Sequence, residues 1–132
     1  MILPILRGLG ETLRRMFDPR VTIQYPEQRR KVAERFRGRP QLVLNDEGRA
    51  RCVACTLCQT VCPPRAIKIE PAEGPQHQKY PARFTIDLAR CIFCGFCQEA
   101  CPKGAIKVSD LYELAEYERS SLVYDKERLK AK

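Results

Sequence analysis

The stretch RCVACTLCQTVCP, from Arg51 to Pro63, carries four cysteines with the spacing C-x2-C-x2-C-x3-C, followed at once by a proline. The same pattern returns 39 residues later in RCIFCGFCQEACP, from Arg90 to Pro102. The nineteen-residue segments 51–69 and 90–108 are identical at ten positions, four of which are the cysteines. Self-similarity at a fixed period indicates a duplicated structural unit.

This cysteine spacing is typical of loops that hold a [4Fe–4S] cluster. A cubane offers four irons at the corners of a tetrahedron, and a short loop reaches only three of them. In two-cluster ferredoxins the fourth cysteine of each run is therefore a ligand of the other cluster. We expect two [4Fe–4S] clusters with crossed ligation, the first held by Cys52, Cys55, Cys58 and Cys101, and the second by Cys91, Cys94, Cys97 and Cys62.

Other uses of eight cysteines fit the pattern less well. Structural zinc usually takes separated pairs of cysteines around one ion, and a [3Fe–4S] cluster would require a replaced ligand position. Disulfides suit secreted chains, whereas we find no signal-peptide cleavage site and expect a reducing compartment. The single histidine, His77, is not expected to be a ligand, because each cubane already has four thiolates.

Composition limits what else the chain can do. With 132 residues it is one domain with extensions, and we expect 41–108 to be largely unfolded without its clusters, because the apolar core is small. The formal charge of +8 drops to about +4 once eight thiolates and two oxidised cluster cores are included, and to about +2 on reduction. No basic stripe interleaved with aromatic residues is present, so no nucleic-acid partner is expected.

Residues 1–40 are predicted to form an N-terminal amphipathic helix over Met1–Phe17 and a basic connector over Asp18–Pro40. Apolar residues recur in the first part at helical spacing, with arginines among them. The segment is too short and too charged to span a bilayer, so we expect contact with a membrane surface or a partner. An ordinary surface helix of the same domain is the alternative.

The two-cluster ferredoxin domain is assigned to 41–108. Its predicted fold is α+β, with a pseudo-twofold duplicated unit in which each cysteine run lies between a leading and a returning strand. The predicted strands are Leu42–Leu44, Ala66–Ile69, Phe84–Ile86 and Ala105–Val108. Pro71–Pro81 is predicted to be an exposed loop.

Residues 109–132 are predicted to form an extended tail that docks on partner subunits. Apolar side chains recur there in an otherwise highly charged segment, which is typical of a contact surface. They are Leu111, Leu114, Tyr117, Leu122 and Tyr124.

Several parts of the chain together resemble a known family, the ferredoxin-type subunit I of NADH:quinone oxidoreductase (respiratory complex I). They are GRPQLVLNDEGRARCVACTLCQTVCPPRAI, RFTIDLARCIFCGFCQEACPKGAI and YELAEYERSSLVYDKERL, with Tyr25–Pro26 and Phe36–Arg39 near the N-terminus. The resemblance implies an electron-transfer subunit that relays single electrons through two [4Fe–4S] clusters, from the NADH and flavin side toward a terminal cluster and quinone. The complex couples this transfer to proton translocation.

The resemblance also implies partners and a location. The partners are the other subunits of the peripheral arm and the quinone-site subunit of the membrane arm, and the location is the cytoplasmic face of the bacterial inner membrane. No glycine-rich nucleotide fingerprint and no paired nucleophile and base are found. We therefore expect no direct NADH binding and no substrate-converting site in this chain, which is part of an enzyme (a translocase) only as a subunit.

Two alternatives stay open. One is a ferredoxin-like subunit of a related membrane-bound hydrogenase or oxidoreductase. The other, of a different class, is a zinc-stabilised basic binding module. Broad visible absorption and a reduced-state EPR signal separate iron–sulfur proteins from the colourless zinc protein.

Overall fold

The computed structural model describes residues 2–75 and 77–130 and divides the chain into two units, Met1–Val32 and Ala33–Lys132. In the first unit, helix α1 spans Ile2–Met16, which confirms the predicted helix; Met1 lies outside the described residues. None of the side chains of α1 is buried, and its apolar residues stay exposed. Among the described residues, no helix has both the length and the apolar character needed to cross a membrane.

The second unit contains the remaining elements in an order that repeats. They are β1 (Pro40–Leu42), α2 (Leu57–Thr60), β2 (Ile67–Glu73), β3 (Lys79–Asp87), α3 (Phe96–Glu99), β4 (Ile106–Val108), a 3-10 turn (Arg119–Leu122), β5 (Val123–Tyr124) and α4 (Lys126–Leu129). Each cysteine run thus passes through one short helix before a returning strand. The predicted α+β ferredoxin fold is confirmed.

The strands of the two copies are interleaved. Strand β1 leads into the first cysteine run and pairs antiparallel with β4, which follows the second run, with Leu42 opposite Ile106. Strand β2 follows the first run and pairs antiparallel with β3, which leads into the second, with Ile67 opposite Ile86. Each returning strand therefore pairs with the leading strand of the other copy, and neither copy has a sheet of its own.

The prediction of an exposed loop over Pro71–Pro81 is wrong for most of that segment. Strand β2 continues to Glu73 and β3 begins at Lys79, so the segment is a β-hairpin closed by the Gly74 N–H donating to the Gln78 carbonyl at 2.9 Å. The register shifts between Glu70 and Pro71. Proline cannot donate to the ladder, and a shift of this kind is where strands tolerate it.

The predicted boundary at Pro40 falls inside the second unit. The Gly38 N–H donates to the Ser109 carbonyl and the Arg39 N–H to the Leu111 carbonyl, both at 2.8 Å. A Cβ atom on Gly38 would lie 2.6 Å from the Ser109 oxygen and closer still to the Leu111 oxygen. Only glycine fits here without moving the backbone, so the end of the connector packs as part of the ferredoxin unit.

The core also takes residues from the segment expected to be a tail. Tyr124 in β5 pairs with Ile86 in β3, and Leu129 in α4 is fully buried. The guanidinium of Arg128 lies 4.0 Å from the centre of the Tyr124 ring. The last part of 109–132 is therefore part of the domain core, whereas Leu111 and Tyr117 are exposed. The sequence did not predict this, because Tyr124 and Leu129 are isolated apolar residues in a charged segment and form no periodic pattern.

We expect Leu129→Ala to destabilise the domain by about 2 to 5 kcal/mol, because truncating a buried leucine removes apolar contacts and leaves a cavity. The measurement is the urea midpoint for loss of visible absorption in the cluster-containing protein. Leu111→Ala, at a position where the side chain is 45% exposed, is the matched control and should shift the midpoint little. Equal shifts for both variants would contradict the burial of Leu129.

Candidate metal centres

Two cavities in the second unit are lined by the eight cysteines. The first has Cys52, Cys55, Cys58 and Cys101 in its wall. The second has Cys62, Cys91, Cys94 and Cys97. Each cavity thus brings together three cysteines of one run and the fourth cysteine of the other, which is the grouping that crossed ligation requires.

The interleaved strands explain this grouping. Cys62 and Cys101 lie just before the returning strands β2 and β4, and each of those strands pairs with the other copy. The Ala66 N–H donates to Cys62 Sγ at 3.3 Å, and the Ala105 N–H donates to Cys101 Sγ at 3.2 Å. Each fourth cysteine is therefore held by its own copy while its thiol faces the cavity of the other.

The loops that carry the first three cysteines turn through left-handed backbone conformations at positions 39 residues apart. Ala54 and Phe93 have φ of 51° and 53°, and Thr56 and Gly95 have φ of 63° and 82°. Residues other than glycine adopt this region at a cost, so its recurrence in both copies marks a tightly wound loop. The winding turns backbone N–H groups inward, and the Phe93 N–H lies 3.4 Å from Cys91 Sγ.

Two glutamines brace the loops, and sequence reasoning gave them no role. Gln59 Oε1 accepts the Ile69 N–H at 2.8 Å, and Gln98 Oε1 accepts the Val108 N–H at 2.7 Å. Each glutamine thus ties the short helix that carries the third cysteine to the returning strand of the same copy. The available signal was the identity of the two residues in the repeat.

The second loop has a further brace from Arg37. Its guanidinium donates to the Cys94 carbonyl and forms an ion pair with Glu99 at 3.2 Å. A Cβ atom on Gly95 would lie 3.3 Å from the Arg37 side chain. Glycine at this position therefore permits both the left-handed turn and the close approach of the arginine.

The thiols lie in surroundings that disfavour their charged form. Burial, together with neighbouring thiols, raises the pKa of Cys58 from 9.0 to about 12, and burial raises the pKa of Cys97 to about 11. Burial also raises the pKa values of Cys52 and Cys91. Each cavity thus contains two thiols with raised pKa values, and such neighbours become thiolates together only when a group with positive charge lies among them. The donor set therefore fits a bound iron–sulfur core.

The cysteines are spread along the cavity walls. Within residues 2–75 and 77–130, no three His, Cys, Asp or Glu side chains lie close enough together to hold one metal ion. A structural zinc site instead places four ligands about 2.0 to 2.3 Å from a single ion. His77 lies in the turn of the β2–β3 hairpin with φ of 55°, and it lines neither cavity.

The fold and the two four-cysteine cavities define a two-cluster [4Fe–4S] protein of the ferredoxin type. The family model described as 4Fe-4S dicluster domain matches residues 51–105. The chain accordingly binds two [4Fe–4S] clusters.

Curated relatives identify the family. NADH-quinone oxidoreductase subunit I 1 of Geobacter sulfurreducens is 47% identical over 129 residues, covering 98% of this chain and 97% of the relative. NADH-quinone oxidoreductase subunit I of Methylococcus capsulatus is 48% identical over 124 residues, covering 94% and 72%. The chain belongs to the NADH-quinone oxidoreductase subunit I family.

A solved structure shares the fold. It is a chain of the membrane-bound sulfane sulfur reductase, an archaeal respiratory membrane complex, and it matches with a TM-score of 0.57 and 32% identity. The match covers 83% of this chain and 54% of that one. The ferredoxin unit is thus found in more than one kind of respiratory membrane complex.

Proposed function

We propose that this chain relays single electrons through its two [4Fe–4S] clusters as a subunit of an NADH:quinone oxidoreductase. The electrons pass from the NADH and flavin side toward a terminal cluster and quinone, and the complex couples the transfer to proton translocation. The observation that carries the proposal is the pair of four-cysteine cavities within one small unit of a subunit I chain. The clusters supply the one-electron chemistry.

The chain itself binds and shields the clusters. We assign Cys52, Cys55, Cys58 and Cys101 to cluster 1, and Cys91, Cys94, Cys97 and Cys62 to cluster 2. Apolar side chains complete the walls of both cavities and limit the access of water, among them Ile69 and Phe84 at cluster 1 and Ile67 and Ile86 at cluster 2. Backbone N–H groups at Ala66 and Ala105 orient the fourth cysteines. NADH and quinone bind to other subunits.

The function is tested with the purified full chain and with membranes that contain its complex. We expect broad visible absorption near 400 nm, about eight irons per chain and reduced-state EPR signals from two clusters. In the membranes, NADH should reduce both clusters, so both EPR signals should appear when it is added. A colourless protein with stoichiometric zinc would refute the iron–sulfur function. Clusters that NADH never reduces would refute the place in an NADH-oxidising complex.

A second candidate is a ferredoxin-like subunit of a related membrane-bound hydrogenase or oxidoreductase. The structural likeness to the sulfane sulfur reductase chain supports it, although the identity of 32% is lower than the 47% to the Geobacter sulfurreducens subunit I. The two candidates differ in the electron donor. Reduction of the clusters by NADH in membranes favours the first, and reduction only by another donor favours the second.

The proposed partners are the neighbouring subunits of the peripheral arm and the quinone-site subunit of the membrane arm. The exposed apolar residues of 109–121, such as Leu111, Tyr112 and Tyr117, are available for contacts with them. For α1 we propose a membrane-surface contact, since its apolar side chains are exposed and arginines accompany them. These contacts would hold the subunit on the cytoplasmic face of the bacterial inner membrane.

If α1 makes this contact, replacing the apolar residues of the helix by polar ones should weaken assembly of the subunit into its complex. Leu6, Leu9 and Leu13 are 60%, 63% and 58% exposed, and burying each against a membrane or partner is worth roughly 1.5 to 3 kcal/mol. The triple replacement by serine should reduce the amount of subunit that co-purifies with the solubilised complex. Glu11→Ser, on the polar side of the same helix, is the control. Normal assembly of the triple variant would rule the contact out.

A further inference from the structure

The two cluster cavities differ in one charged residue. The backbone geometry around them is repeated, with matching left-handed residues and matching N–H donors to the fourth cysteines. Among the described residues that line the cavities, apart from the cysteines, Lys103 in the first cavity carries the only charged side chain. At the equivalent position of the other repeat, Pro64 lines the second cavity.

A positive charge beside a cluster stabilises its reduced form. An oxidised [4Fe–4S] core with four thiolates carries a total charge of about −2, and the gain of one electron makes it about −3. A neighbouring ammonium group interacts more favourably with the more negative state, so it raises the reduction potential. The backbone hydrogen bonds to the fourth cysteines act in the same direction at both clusters, since the N–H groups of Ala66 and Ala105 lie 3.3 and 3.2 Å from Sγ of Cys62 and Cys101.

The second cluster also has a cation near its loop, but that charge is offset. Arg37 donates to the Cys94 carbonyl and is paired with the carboxylate of Glu99 at 3.2 Å. Arg37 and Glu99 together carry no net charge, and neither side chain lines the cavity. Lys103 forms no ion pair within the described part of the chain that would offset its charge in the same way.

We propose that Lys103 makes the cluster bound by Cys52, Cys55, Cys58 and Cys101 the more easily reduced of the two. The proposal rests on the cluster assignment of the proposed function. The difference in reduction potential means that an electron shared between the two clusters resides mainly on cluster 1. Lys103 acts through its charge and not as a ligand, and the equivalent residue of the other repeat is the uncharged Pro64.

The test is an EPR-monitored redox titration of the full chain with both clusters bound, at low ionic strength. Cluster 1 should titrate at the higher potential, and Lys103→Gln should lower that potential while the cluster 2 signal keeps its own. Lys103→Arg, which retains the charge, should stay near the wild-type value. Lys107→Gln removes an exposed lysine of the same copy that lines neither cavity, and it should shift neither signal.

Two controls separate the possible failures. Iron content near eight per chain shows that the clusters are present, so a shortfall would count against the proposed function itself. Raised salt should shrink the shift caused by Lys103→Gln, because screening weakens an exposed charge. A shift of the cluster 2 signal, equal shifts for the glutamine and arginine variants, or no shift in a variant with full iron content would each overturn the role of Lys103.

Discussion

Cys101→Ser is expected to alter the EPR signal of the cluster bound by Cys55, although Cys101 lies in the other cysteine run. The reason is that Cys101 lines the cavity of Cys52, Cys55 and Cys58. Serine ligates iron weakly, so either a shifted or a lost signal is the expected result. The spectrum should match that of Cys55→Ser and differ from that of Cys94→Ser.

The reciprocal variant provides the control. Cys62→Ser removes the thiol that lines the cavity of Cys91, Cys94 and Cys97, so it should alter the other signal. If Cys101→Ser instead matches Cys94→Ser, each run holds its own cluster, and the crossed assignment is wrong. Measuring the four variants side by side makes the comparison independent of which signal is assigned to which cluster.

Removal of iron is expected to unfold most of the second unit. The buried apolar side chains of the four strands β1 to β4 also line the two cysteine cavities, so they lose packing partners when the cavities are empty. They are Leu42, Ile67, Ile69, Phe84, Ile86 and Ile106. In such sites the free energy of metal binding supplies much of the free energy of folding. After chelation, far-UV circular dichroism should lose its strand signal and amide NMR resonances should collapse to narrow dispersion. A well-dispersed spectrum without iron would show that the apolar core suffices.

The pKa values give this prediction a pH dependence. Burial raises the pKa of Cys58 in the folded chain from 9.0 to about 12, so folding without metal favours the protonated thiol. Any residual structure of the iron-free chain should therefore be lost as pH rises from about 9 toward 12. Cluster binding requires thiolates and releases protons, so cluster retention should weaken in the opposite direction, as pH falls. Circular dichroism of the iron-free chain and visible absorption of the cluster-containing chain follow the two trends separately.

The cysteine spacing is enough to predict the fold and a candidate set of ligands, because ligand spacing reflects cluster geometry directly. The two runs implied the α+β fold, two clusters and the grouping in which Cys62 and Cys101 exchange partners. The left-handed backbone at Ala54 and Phe93 was not predicted, since neither residue type favours it and the loop adopts it to wrap a cluster. The extended hairpin at Pro71–Pro81 was missed because proline and glycine suggest a loop.

The C-terminal part of the domain was missed for a different reason. Strand β5 is two residues long, and helix α4 is a single turn in which Leu129 alone is buried. Elements this short have no period that a sequence pattern can reveal, and tertiary packing on β3 decides their conformation. The role of Arg37 depends likewise on contacts 57 and 62 residues away along the chain.

Because each returning strand pairs with the leading strand of the other copy, the order of synthesis limits when the domain can fold. A nascent chain emerges from the ribosome N-terminal end first, at roughly 5 to 20 residues per second. Strand β1 must wait for β4 (Ile106–Val108) before it gains a partner. With the crossed ligation that we propose, Cys52, Cys55 and Cys58 must likewise wait for Cys101. The N-terminal copy therefore cannot be completed until translation has passed Val108, and its first three cysteines stay without their proposed fourth ligand until then.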